Sequence, residues 1–182
     1  MLVEVGTIAM LEGLDVAGRR LFVAGCAERM AQLFTGIRGV QDWRSHDVEV
    51  FIASLDELWG GSVAETCEDL LREVERFEEF GPSEEGVSDT ADIYAAYSAL
   101  ALRYALSCVV RDNPTFAIKC GHVILTAMGQ MDRAVSSDLF EEERRFQARY
   151  GVAFGNRPDP QEFRQECQES ARRRLEILLS RL

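Results

Sequence analysis

The two histidines of this chain, His46 and His122, are the first candidates for a metal site. A ferritin-like di-metal centre needs two Glu-x-x-His pairs. Trp43 and Lys119 occupy the positions three residues before His46 and His122, which argues against that class. Cys120 and His122 are separated by one residue, and helical positions i and i+2 point apart. We therefore predict neither a metal site nor a cofactor.

The cysteines are the next candidates, as nucleophiles or as disulfide partners. A cysteine nucleophile needs an adjacent base and an electropositive setting. Each cysteine here instead falls on or near an apolar helical stripe, where a buried free thiol is the usual state. Their odd number, their wide spacing and the lack of a CxxC pair indicate a reducing compartment. They are Cys26, Cys67, Cys108, Cys120 and Cys167.

Glu28 is the carboxylate whose predicted position is most unusual, near the middle of an apolar helix. One interpretation makes it a ligand or a catalytic carboxylate acting with His122 or with another acid. The alternative is an ion pair with Arg29 or with an arginine on another helix, which we favour because burying an unpaired charge is costly. No nucleophile–base pair stands out. We therefore predict no catalytic residue and a protein that is not an enzyme.

The acidic residues are concentrated in one part of the chain. Residues 42–92 hold 16 of the 31 acidic residues and three arginines, a net charge of −13, whereas the rest of the chain carries +2. This distribution disfavours nucleic-acid binding, which needs clustered Lys and Arg, and favours a protein partner with a basic surface. The alternative is a solvated face that promotes solubility. The predicted partner-binding residues are Glu73, Glu75, Glu78, Glu79, Glu84, Glu85, Asp89 and Asp92.

The elements that must position these residues follow from the 3.6-residue period of apolar positions, which extends through nearly the whole chain. No segment alternates like a strand, and no internal repeat or interdomain linker is visible. We predict an all-α, single-domain bundle of seven to eight helices over residues 1–182. The predicted helices cover about 2–13, 16–37, 48–59, 62–80, 90–111, 114–135, 138–150 and 160–182, and Gly81-Pro82 is the predicted stop of the fourth.

Polar residues and glycines mark the predicted helix ends. Asp15 and the pairs Asn113-Pro114 and Asp159-Pro160 are N-cap signals, and Ser62 to Glu65 forms a capping box. Cap and turn roles suffice for the glycines at 36, 39, 60, 61, 81 and 86. A loop is predicted over 81–90 and a turn over 151–158. The arginines at 172–174 are interpreted as a surface face whose charge is partly balanced by Glu169 and Glu176.

Two segments bear on localisation. The N-terminal segment MLVEVGTIAMLEGLD carries Glu4 where a signal peptide is positively charged, and it lacks a small-residue cleavage site. Residues 93–110 are apolar and near membrane-spanning length, but they include Arg103, three tyrosines and two serines. We interpret them as the central helix of a soluble bundle and predict a cytoplasmic protein.

Four segments in consistent order resemble the YjaG-like bacterial proteins, domain-of-unknown-function family number 416. They are LFVAGCAERM (21–30), LDELWG (55–60), FEEFGPSEE (77–85) and DIYAAYSALALRYAL (92–106). The resemblance covers roughly residues 10–135 and implies an all-helical fold. It implies no catalytic residues, since the family has no assigned activity. The genome context of the family hints at a role in signalling. Ser98 departs from the family pattern, where proline is expected.

Two functions follow as expectations. The first is a binding protein, most concretely an immunity protein that neutralises a basic toxin domain, because electrostatic attraction accelerates such associations. The second is a signalling or housekeeping adaptor that acts as a homo-oligomer. Its interface would use exposed apolar residues such as Trp43, Trp59 or Phe80.

Overall fold

The computed structural model describes residues 3–61, 63–81, 89–134, 138–152 and 159–181. Within these residues the chain forms eight α-helices and no strand, which confirms the predicted all-α bundle. Two 3-10 helices cover Asp42–Arg44 and Glu78–Phe80. The α-helices are α1 (Val5–Gly13), α2 (Val16–Arg38), α3 (Ser45–Gly60), α4 (Ala64–Val74), α5 (Thr90–Arg111), α6 (Pro114–Ala134), α7 (Leu139–Val152) and α8 (Pro160–Leu179).

Helix α2 is the centre of the bundle. It packs against α3, α5, α6 and α8, and from Phe22 to Leu33 nearly every residue is buried. A helix that is apolar on all sides belongs in a core rather than at a surface. The buried apolar side chains of all the helices form one connected cluster. The long helix predicted at 16–37 is therefore confirmed, and the structure adds that it packs against four other helices.

Three of the predicted N-caps form as expected. The Asp15 carboxylate accepts a hydrogen bond from the backbone N–H of Gly18 at 2.7 Å. The Asn113 side chain accepts from Thr115 N at 2.9 Å. Asp159 accepts from two backbone N–H groups at the start of α8. These bonds satisfy donors that a helix start leaves unpaired.

The structure changes several predicted boundaries. Helix α4 begins at Ala64 and ends at Val74, well before the predicted stop at Gly81-Pro82, because the chain turns there into the second 3-10 helix. Ser62 of the predicted capping box lies outside the described residues. Helix α7 continues through 151 and 152, where a turn was expected. Most of the predicted turn and of the 81–90 loop, at 153–158 and 82–88, also lies outside the described residues.

Helices α2 and α8 approach closely because α2 presents glycines to α8. A Cβ atom on Gly25 would lie 2.7 Å from the Phe163 ring, and one on Gly36 would lie 2.5 Å from Leu175. The prediction that Gly36 has only a helix-end role is therefore wrong: it lies inside α2 and faces α8. Gly61 does act as predicted, since it ends α3 with a φ of +74° that glycine adopts without strain.

Helix α5 is long and apolar enough to cross a membrane by length and composition. In its most apolar 18-residue window, however, 61% of the residues are buried inside the bundle. It packs against α2, α3, α4 and α6. The prediction that residues 93–110 form a buried helix of the bundle is therefore confirmed.

Candidate functional site

The acidic residues predicted to bind a partner lie on α4, on the 3-10 helix Glu78–Phe80 and at the start of α5. Glu73, Glu75, Glu78 and Asp92 are all substantially exposed, with 39–64% of each side chain in solvent. Asp89 is exposed as well, and it also caps α5 by accepting from Ala91 N. We call these five residues the acidic face. Glu84 and Glu85 lie outside the described residues.

Glu79 is the exception, because its side chain is only 2% exposed. One carboxylate oxygen accepts from Arg38 Nε at 2.8 Å, and the other accepts from Arg44 Nη2 at 2.6 Å. Burial alone would lower the pKa of Arg44, but the carboxylates of Glu79 and Asp47 raise it. Glu79 thus ties α2 to the 3-10 helices beneath the acidic face. Its carboxylate is engaged by arginines of this chain rather than facing solvent.

Arginines also approach the exposed members of the acidic face. Arg38 reaches Asp92 at 2.6 Å, and Arg103 of α5 reaches Glu75 at 3.0 Å. Both arginines come from outside the stretch 42–92, where the sequence showed few bases. The acidic excess is therefore smaller in three dimensions than along the chain. Both carboxylates stay partly exposed, so carboxylate oxygens still face solvent.

Two adjoining depressions lie beside the acidic face. One, of about 340 Å³, is polar and includes Trp43, Arg44 and Glu78 in its lining. The other, of about 290 Å³, is mostly apolar, and we call it the apolar groove. Glu79, Asp92 and Ala96 line both depressions. The apolar groove is formed by Phe80, Ile93, Ala96, Tyr97 and Leu100 together with Glu79 and Asp92.

The three aromatic residues expected at an oligomer interface differ in exposure. Trp43 is 65% exposed and lies close to the Arg44 guanidinium. Trp59 and Phe80 are partly buried against the core, so the expectation that they are exposed is wrong. Trp59 packs edge-to-face on Phe163, and Phe80 lies below the Arg103 guanidinium.

The Glu28 carboxylate is held by two donors from other helices. Trp59 Nε1 donates to Glu28 Oε2 at 2.8 Å, and Arg164 Nε donates to the same oxygen at 3.2 Å. Arg164 also pairs with Asp56 of α3 at 2.5 Å. The favoured interpretation, an ion pair with an arginine on another helix, is confirmed. Glu28 links α2 to α3 and α8.

The remaining candidates for chemistry occupy ordinary positions. His46 is 73% exposed and lies 4.0 Å from Glu73, whereas His122 lies on α6. No group of three metal-ligating side chains is found among the described residues. All five cysteines are buried with free thiols, as predicted. Burial raises the pKa of the Cys108 thiol to about 12, which keeps it protonated and unreactive at neutral pH.

Sequence analysis missed a buried ionic cluster between α2, α7 and α8. Glu143 Oε2 accepts from Arg29 Nε at 2.9 Å and from Arg174 Nη2 at 2.5 Å. Gln147 donates to the other Glu143 oxygen and to the backbone carbonyl of Gly121. Burial raises the pKa of a carboxyl group, but the two arginines here lower that of Glu143 to about 2. We call Arg29, Glu143, Gln147 and Arg174 the buried cluster.

The interpretation of the arginines at 172–174 as a surface face is wrong for Arg174, which is 1% exposed. Arg173 is at the surface but bonds to Glu142 of α7, with both distances 2.9 Å, rather than to Glu169. A signal for Arg174 was present in the sequence. It falls on the apolar stripe of α8, between Ala171 and Leu178.

Comparison with known proteins yields no match to any family model, any curated protein or any solved structure. The resemblance to the YjaG-like proteins therefore stays a prediction. Function has to be argued from the acidic face and from the geometry around it.

Proposed function

We propose that the chain is a non-enzymatic binding protein whose acidic face contacts a partner protein with a basic surface. In its most concrete form it is a cytoplasmic immunity protein that neutralises a cognate toxin. Neither a nucleic acid nor a membrane is a proposed partner. Charge complementarity of this kind accelerates encounter and selects the correct partner.

One observation carries the proposal: exposed carboxylates adjoin an apolar groove. Asp92 contributes to the lining of the groove, and Ile93 is 39% exposed beside it. Apolar residues at the centre of an interface supply most of its affinity, whereas charged residues at its rim set orientation and rate. The arrangement suits a partner segment that carries apolar side chains flanked by Lys or Arg.

A basic partner fits this surface better than a second copy of the chain does. A two-fold interface pairs the same patch on both subunits. The acidic face would then meet itself, and Glu75 and Glu78 would approach like charges. Such repulsion opposes association. A heterologous partner avoids this cost.

The test replaces Glu75 and Glu78 together by lysine and, where a neighbouring gene encodes a toxin with a basic domain, uses that domain as the probe. Co-expression with wild-type chain should relieve the toxicity of that domain. The double variant should lose the protection and bind at least about 100-fold more weakly, because each lost charge pair costs about 1.4 kcal/mol or more. The matched control, Glu12→Lys with Glu176→Lys, changes the net charge equally on exposed residues of α1 and α8.

Both variants must first show wild-type unfolding curves, which their surface positions lead us to expect. The proposal is overturned if the double variant protects as well as the wild type does. The proposal is also overturned if the control variant loses as much protection, because attraction to the partner would then depend on net charge rather than on the acidic face. A neighbouring gene that encodes a histidine kinase would favour the adaptor function instead.

A signalling or housekeeping adaptor that acts as a homo-oligomer is the second candidate. The observation in its favour is the exposure of Val40 and Trp43, 83% and 65%, which are close in sequence at the end of α2. Light scattering at high protein concentration tests it. An oligomer that Trp43→Ser dissociates is the expected result, and a monomer at every concentration would contradict it.

A further inference from the structure

A third cavity, separate from both depressions beside the acidic face, lies between α7 and α8 and reaches Arg29 of α2. Its volume is about 570 Å³, within the range of small-molecule sites. Its lining includes four arginines, three glutamates, Phe146 and Ser170. We call it the arginine pocket. None of the acidic-face residues lines this pocket.

Arg29 lies at the buried end of this pocket. Only 5% of it is exposed, and its guanidinium carbon lies 4.0 Å from the centre of the Phe146 ring. Its bond to Glu143 uses Nε alone. Within the described part of the chain, its two Nη groups have no hydrogen-bond partner. Arg29 therefore brings free donors to the wall of an open cavity.

The buried cluster behind this wall carries an excess positive charge. Arg29 and Arg174 share a single carboxylate, that of Glu143. In addition, Arg174 Nε is buried without a hydrogen-bond partner among the described residues. Excess charge in a protein interior is costly unless a counter-charge approaches it. An anion in the pocket would supply that counter-charge.

At the mouth of the pocket, one further arginine is available to bind an anion. Arg149 pairs with Glu166 across the cavity, and Arg173 pairs with Glu142. Arg145 is exposed, lines the pocket and has no ion pair among the described residues. Glu169 is the remaining charged lining residue, so the lining carries one more positive than negative charge.

We propose that the arginine pocket binds a small anion bearing a phosphate group, with Arg29 and Arg145 as donors. A guanidinium group bonds well to phosphate oxygens. A phosphate group has three acceptor oxygens and carries up to two negative charges. It can therefore bond to more than one arginine, whereas a carboxylate has two oxygens and one charge. The partner-binding function does not depend on this site.

Titration calorimetry with pyrophosphate as the probe tests the proposal, and acetate serves as the carboxylate comparison. Wild-type protein should bind pyrophosphate saturably and acetate at least about tenfold more weakly. Arg145→Ala should weaken pyrophosphate binding at least about tenfold. Arg172→Ala is the matched control, because Arg172 is exposed on α8 but does not line the pocket. It should bind as the wild type does.

Two further variants sharpen the test. Arg29→Met should abolish binding yet leave a folded protein, because Glu143 then pairs with Arg174 alone. If this variant does not fold, Arg145→Ala decides. Glu169→Gln should tighten pyrophosphate binding, because it removes a negative charge from the lining.

Four results would overturn the proposal. They are no saturable binding of pyrophosphate by the wild type, unchanged binding by Arg145→Ala, equal weakening by Arg172→Ala, and acetate binding as tight as pyrophosphate binding. Weaker pyrophosphate binding by Glu169→Gln would also contradict it, because losing a negative charge from the lining should weaken the binding of a cation, not of an anion.

Discussion

At the scale of single residues, one buried carboxylate organises the junction of three helices. Glu143 is fully buried and bonds to Arg29 of α2, Arg174 of α8 and Gln147 of its own helix. A buried ion pair contributes little when intact and costs much when one partner is lost. The Glu143 carboxylate is therefore more important for stability than any carboxylate of the acidic face.

Glu143→Gln should destabilise the protein by about 3–5 kcal/mol, because it leaves two buried guanidiniums without an anion. Urea unfolding measures the loss. The control is Glu142→Gln, which removes the adjacent but partly exposed partner of Arg173. It should cost less than about 1 kcal/mol. Equal effects of the two substitutions would show that the buried cluster has no special role.

The same carboxylate should make stability depend on pH in acid. The pKa of Glu143 is lowered from 4.5 to about 2 in the folded protein. A lowered carboxyl pKa stabilises the fold fully above the unfolded value and loses this effect as pH falls through the folded value. The stability difference between wild type and Glu143→Gln should therefore shrink from about pH 4.5 to about pH 2. Urea midpoints across this range measure it, and a constant difference would contradict the assignment.

At the scale of helices, the contact between α2 and α8 depends on the absence of a side chain. Gly25 faces Phe163, whose ring stacks on Phe146 and meets Trp59 at an edge. The ring is held on two sides, so it has little room to move away from a new methyl group. Close packing of this kind makes a small added volume costly.

Gly25→Ala should destabilise the protein by about 1–2 kcal/mol, because overpacking outweighs the gain in helix propensity. Gly6→Ala is the control: Gly6 lies in α1, and a Cβ there would meet nothing within 4 Å. This substitution should stabilise by up to about 1 kcal/mol. Thermal unfolding compares the two. A stabilising Gly25→Ala would show that α8 is free to shift away from α2.

At the scale of the whole molecule, the bundle shields every thiol from solvent. Cys26, Cys67 and Cys120 are completely buried, and burial raises the pKa of the Cys167 thiol well above its usual range. Thiolate is the reactive form, so both inaccessibility and protonation oppose reaction.

We therefore expect none of the five cysteines to react with an aromatic disulfide reagent in the native protein. All five should react after unfolding in urea, when burial no longer protects them. Counting the thiolate released under both conditions measures this. A thiol that reacts rapidly in the folded state would indicate local opening of the helix that carries it.

The distribution of charge is the other property of the whole molecule, and it differs between the sequence and the fold. Counted along the chain, the stretch 42–92 carries −13. In the fold, Arg38 of α2 and Arg103 of α5 reach into that stretch and pair with Glu79, Asp92 and Glu75. Ion pairs between helices distant in sequence cannot be read from local charge counts, so the sequence overstated the available acidic surface.

Sequence alone determined the properties that depend on local pattern. The apolar period located the helices, Asp15, Asn113 and Asp159 were recognisable as caps, and the five cysteines were correctly placed in the core. These features follow from residues within a few positions of one another.

Only the tertiary structure decided which side chains meet. It placed Glu79 beneath the acidic face, gave Glu28 its partners on α3 and α8, and brought Arg29, Glu143 and Arg174 together in the core. Glu143 and Arg29 are 114 residues apart, and their contact depends on how α7 and α8 pack against α2. The physical reason is that a helix pattern specifies which face is buried, whereas the partner of a buried charge depends on packing between helices.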